Sequence, residues 1–171
     1  LTALTNGAFL AGPGSVVRTT GSMSIAAGGN VTGTGAQFIA GGAIDATAGG
    51  DINFSRISAG DTVVLTANDG DVVVSDDLVA TNGAQAFGET VDLNAANALI
   101  VDVARSTVGD IRIESRNGDL SLGLIDARTN VVARSGGTLF VQGGVAGNQI
   151  SLQSVDIEIG DSAQVGQYDR T

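Results

Sequence analysis

Apolar residues alternate with polar or small ones along most of the chain, in short bursts broken by Gly, Asn and Asp. The clearest bursts are triplets: Leu1-Ala3-Thr5, Met23-Ile25-Ala27, Ile44-Ala46-Ala48, Val63-Leu65-Ala67, Val91-Leu93-Ala95, Ile111-Ile113-Ser115, Val131-Ala133-Ser135 and Ile150-Leu152-Ser154. Each is followed by a turn, such as Gly49-Gly50-Asp51 or Asn117-Gly118-Asp119. The chain then re-enters an apolar position, in order Phe9, Val31, Ile52, Val72, Leu99, Leu120, Leu139 and Ile157. A period of two is that of a half-buried strand, and Gly, Asn and Asp tolerate tight corners. Successive triplets start about 20 residues apart, a spacing typical of stacked repeats, and the one long interval runs from Val63 to Val91.

One unit of about 20 residues cannot bury its own apolar face, whereas stacked units give every strand a neighbour and enclose a continuous interior. The pattern therefore predicts an all-β chain, a parallel β-solenoid of about eight coils and roughly 40 Å in length. Helix is disfavoured, because β-branched residues fill the apolar positions and Gly recurs too often. Residues 1–171 read as one solenoid segment with two irregularities. The first coil, 1–22, is interrupted by Gly12-Pro13-Gly14. The long Val63-to-Val91 interval predicts an insertion within 75–90, a loop whose Asp76, Asp77, Asn82, Phe87 and Glu89 form a candidate binding site for sugar or cation.

If the triplets point inward, the residues between them point outward, with their vertical neighbours one repeat away. That places Asp92 beside Arg112 and Glu114 beside Arg134, two opposite-charge pairs on adjacent strands. The corner residues Asn30, Asp51, Asp71, Ala98, Asp119, Thr138 and Asp156 fall into one column. Such a column suits either a calcium ladder or Asx capping, in which the side chain accepts a local backbone N–H. Capping is the expected role. The calcium-binding Gly-Gly-x-Gly-x-Asp pattern lacks its third glycine at Gly41-Gly42-Ala43-Ile44-Asp45.

Composition narrows the chemistry. The 171 residues include no His, no Cys and no Trp, and all eight basic residues are arginine, against 18 acidic ones. Nucleophile–histidine machinery and imidazole or thiolate metal sites are thereby excluded. No catalytic, cofactor-binding or metal site is assigned, and the chain is not expected to be an enzyme. A net charge of -10 argues against nucleic acid or an anionic bilayer as partner, and no apolar run approaches a membrane span. At 43% hydrophobic the chain is too apolar for disorder, and with 4% aromatic residues its core must be narrow. The start at Leu1, without an initiator Met, reads as a piece of a longer protein.

The phrases GGNVTGTG, AIDATAGGDINFSRISAGDTVVLTANDGDVVV and NGDLSLGLIDA resemble the repeats of bacterial filamentous-haemagglutinin-like proteins, the large exoproteins of two-partner secretion. The resemblance covers roughly residues 23–160 and rests on the apolar-x-apolar-x-Ala-Gly-Gly-Asp-apolar rhythm. It implies a right-handed parallel β-helix shaft, exported across the outer membrane by a partner transporter. It also implies a place at the cell surface in adhesion, biofilm formation or contact with other cells, where a glycan or surface receptor would be met. The Asn-Pro motifs of the family's secretion domain are absent, and Pro13, the one proline, follows Gly12. Two other functions compete. A carbohydrate-active β-helix enzyme would show carboxylates and an Arg converging in a groove. An end-to-end self-assembling fibre subunit would use open strand edges at its ends.

Overall fold

The computed structural model describes residues 1–166. Within them the chain forms strands joined by corners, with no helix, and every strand pair is parallel. Each coil visits three faces. The first face stacks Ala3, Ile25, Ala46, Leu65, Ala86, Ala104, Ile125, Val145 and Val165 in one column. The second stacks Phe9, Val31, Ile52, Val72, Val91, Ile111, Val131 and Ile150. The third consists of a lower stack, Val17, Phe38, Ile57 and Leu78, and an upper one, Val101, Leu122, Val141 and Ile159. The β-solenoid expected from the repeat is the fold.

The predicted insertion within 75–90 is not present. The second-face column climbs from Phe9 to Ile150 in nearly equal steps, with no long interval anywhere along it. Residues 75–90 complete an ordinary coil: the later part of the strand Val72–Ala80, which runs from the second face into the third, then a corner and the first-face strand Ala84–Gly88. The long interval between triplets arises because the triplet motif changes face. Met23, Ile44 and Val63 lie on the first face, whereas Val91, Ile111, Val131 and Ile150 lie on the second. From Val63 the chain passes through the Asn68-Asp69-Gly70 corner to reach Val72 on the next face, and Val91 stacks directly above Val72.

The same change shows in the sheets. Below it, single strands such as Val31–Ala40 and Ile52–Ala59 run from the second face into the third, so these two faces form the nine-stranded sheet. Above it, Leu99–Ser106 and Leu120–Asp126 run from the third face into the first, within the eleven-stranded sheet. The sharp bend between faces has moved round the coil. Where the bend is sharp the chain needs Gly, Asn or Asp, and the motif follows the bend rather than the face.

The core is one column of small and branched side chains, with Phe38 and Phe54 buried in its lower part and their rings 4.6 Å apart, edge to face. Gly33 makes room for them, since a Cβ there would run into both rings. Corners are equally tight. A Cβ on Gly49 would collide with the carbonyl oxygen of Gly28 one coil below. At the first coil Gly12-Pro13-Gly14 forms the corner between Phe9–Leu10 and Val16–Thr19, with Gly14 at φ 78°. At the other end Gln164–Gly166 stacks on Gly144–Ala146 and continues the winding; the remainder of that tail lies outside the described residues.

Candidate functional site

Because residues 75–90 are a regular coil, the five residues expected to share a loop are spread around it. Asp76 sits where the second face turns into the third. Its carboxylate is 2.5 Å from Nε of Arg56 one coil below and 3.7 Å from the guanidinium of Arg116, which also donates to the Asp76 carbonyl. Asp77 Oδ1 accepts the backbone N–H of Ala96 in the next coil. Asn82, at the following corner, donates to Asp61. Phe87 is half-buried on the outside of the first face, beside Thr66 and Arg105 in register. Glu89 is exposed at the next corner. These side chains do not converge on one ligand. Asp76 and Asp77 instead stitch coils together.

The corner column predicted from the repeat is two columns, for the same reason. Asn30, Asp51 and Asp71 share the corner before the second face and are continued there by Thr90, Asp110 and Asn130. Asp119, Thr138 and Asp156 lie before the third. Their role is backbone capping, and except at Asp156, whose Oδ1 accepts the N–H of the adjacent Ile157, the capped group is not in the local turn. Asn30 Oδ1 accepts the N–H of Asp51, Asp51 that of Asp71, Asp71 that of Thr90, and Asp119 that of Thr138, each about one coil along. Stacking puts the N–H of the equivalent corner directly above each of these four side-chain oxygens. Among the described residues no group of three or more acidic side chains is placed to hold a metal ion.

The expected outward register on the second face is observed: Asp92 stands beside Arg112 and Glu114 beside Arg134. The expected ion pairs are not formed. Arg112 lies 3.8 Å from Asp110 on its own strand approach, Arg134 Nε donates to Gln153 Oε1, and Asp92 accepts from the amide of Asn94. Asp110 is a fixed target because three donors hold it: the Thr129 hydroxyl and the backbone and side-chain N–H groups of Asn130. The Thr129 hydrogen bond is the main reason that the Asp110 carboxyl lies below its ordinary pKa; burial opposes the shift, and the Asn130 donors and Arg112 add to it. These residues line two adjoining shallow depressions. One, of about 320 Å³, is bounded by Thr90, Asp92, Asp110 and Arg112; the other, of about 120 Å³, by Asp92, Asn94, Arg112, Glu114, Val132 and Arg134.

One group of polar residues was not singled out by the sequence pattern. Ser115 and Ser106 are buried, and their hydroxyls reach the carbonyls of the corner they precede and of the corner below: Gly118 and Asn97 for Ser115, Gly109 and Glu89 for Ser106. Ser135 repeats the arrangement with Thr138 and Gly118. Ser115 and Ser135 end their triplets where Ala95 ends the one below, and Ser106 stacks above Gly88 on the first face. The change from Ala to Ser at the end of the triplet is the signal that could have found Ser115 and Ser135; Ser106 lies outside the triplets.

The chain matches no family model, no characterised protein and no solved structure. No helix among the described residues is long and apolar enough to cross a membrane.

Proposed function

We propose that the chain is a structural shaft segment of a secreted bacterial surface adhesin of the filamentous-haemagglutinin-like kind. Support comes from the uninterrupted stacking: the second-face column keeps an even step from Phe9 to Ile150, and residues 75–90 are absorbed into the wall rather than projecting from it. A stack of this kind converts chain length into distance, about 4.8 Å for each coil. Its work is to hold a contact-making part away from the surface that carries it. Export through an outer-membrane partner and a role in adhesion or biofilm formation follow from the family resemblance.

Deleting residues 91–110, one complete coil, is the experiment. The remaining coils should refold with the same β signature, and small-angle scattering should show a rod shortened by about one strand spacing. Loss of folded structure, or an unchanged length, would count against a modular spacer.

A second reading is favoured by one observation. Asp92, Asp110 and Glu114 share the second-face depressions with Arg112 and Arg134, the residue types a carbohydrate-cleaving β-helix would use. Asp110 is shifted in the wrong direction for a general acid, since its carboxyl is held ionised. Incubation with a range of polysaccharides, followed by an assay for new reducing ends or unsaturated products, separates the two. Turnover abolished by Glu114→Gln would replace the shaft by an enzyme.

A further inference from the structure

The second face changes character along the axis. In its lower coils the outward residues are Leu10, Thr32, Asn53 and Val73, all uncharged; above them come Asp92 and Arg112, then Glu114 and Arg134, in register on neighbouring strands. These charges are not consumed by one another. Arg112 is 64% exposed with its nearest carboxylate at 3.8 Å, and among the described residues the Glu114 carboxylate has no hydrogen-bond or ion-pair partner.

We propose that this upper part of the second face binds a neutral oligosaccharide. The alternation of sign selects the ligand class. Each arginine stands in register beside an acidic residue on the neighbouring strand, so a formal anion gains from one and is repelled by the other, and the same holds for a cation. A sugar hydroxyl both donates and accepts, and so can satisfy Glu114 and Asp92 as acceptors and Arg112 and Arg134 as donors at the same time. Charge-assisted hydrogen bonds of this kind are stronger than neutral ones. Val132, in register above Arg112 and two residues from Arg134, supplies a small apolar patch beside them, suited to the C–H face of a ring. The two depressions adjoin, sharing Asp92 and Arg112, and strands repeat about every 4.8 Å, so the strip accommodates an extended chain of sugars rather than one ring. Nothing aromatic lies on this strip to stack a ring, so the affinity is weak for a single strip.

The proposal goes beyond the shaft reading and stands or falls separately from it. The test titrates the whole 171-residue chain with maltohexaose, a manno-oligosaccharide and a galacto-oligosaccharide, with oligogalacturonate as the charged control, following backbone amide shifts by NMR. At least one neutral oligosaccharide should shift the amides around Asp92, Glu114 and Arg134 at millimolar concentration. Arg134→Ala and Glu114→Ala should each weaken that binding about tenfold or more, because each removes a charge-assisted partner. Asp76→Asn, on another part of the wall, should bind as the parent does, and circular dichroism should show all variants folded. Absence of any neutral binding, binding of oligogalacturonate alone, or folded Arg134 and Glu114 variants that bind undiminished would overturn the proposal.

Discussion

Ile113 and Glu114 are neighbours in sequence whose side chains face opposite ways, which makes them the sharpest test of the winding. Ile113 is 1% exposed and lies in the second-face column between Leu93 below and Ala133 above. Replacing it by Ala removes three carbons, worth about 2.4 kcal/mol at ~0.8 kcal/mol per buried methylene. A cavity contribution adds to this, because Ala133 is too small to fill the space and the strands on either side are held by their ladders; the total comes to about 3–4 kcal/mol. Glu114→Gln, pointing outward, should change stability by less than about 0.5 kcal/mol. In a stacked array the loss is felt first by the coils that touch the defect. Urea unfolding followed by circular dichroism gives the overall loss, and hydrogen exchange should show reduced protection concentrated at residues 91–95, 111–115 and 131–135. Two results would refute the reasoning: a cost under about 1 kcal/mol for Ile113→Ala, or a Glu114→Gln cost of similar size.

Glycines at corners should divide by what lies beneath them. Gly49→Val, whose side chain would run into the Gly28 carbonyl, should cost on the order of 1–3 kcal/mol, while Gly21→Ala, with open space around its Cβ, should be close to neutral in the same thermal melts. Asp76→Ala should lower stability by less than about 1 kcal/mol despite removing contacts to both Arg56 and Arg116, because the groups are 40–54% exposed, and the difference should shrink as salt is raised. The Asp110 carboxyl, depressed in the folded state, contributes stability above its unfolded pKa and loses it as pH falls through the folded value. Thr129→Val removes the leading cause of that depression. The stability gap between parent and variant should be full at neutral pH and close on acidification, read from urea midpoints across the acid range; a pH-independent gap would assign Thr129 a purely packing role.

Period-two alternation and the short, regular repeat are local properties of the chain, and they determined the class of fold. A strand that alternates must bury one side, a unit that short cannot do so alone, and stacking is what remains. Outward neighbours such as Asp92 and Arg112 were legible for the same reason, since within residues 91–135 the motif stays on one face. Which face a motif occupies was not legible. Gly-Gly-Asp in the lower coils and Asn-Gly-Asp near Asp119 mark the sharp bend wherever it falls, and a one-dimensional pattern carries no record of direction around an axis. Only the pairing of Val72 with Val91 decided that the bend had moved by one face. That single fact turned an apparent insertion into a regular coil, divided one corner column into two, and dispersed the five residues expected at 76–89. The members of the charged strip on the second face were legible from the repeat, but that Arg112, Asp92 and Arg134 pair with Asp110, Asn94 and Gln153 rather than with one another was a tertiary result. The strip's members lie in successive coils, a full repeat apart in sequence, and become neighbours because the coils stack.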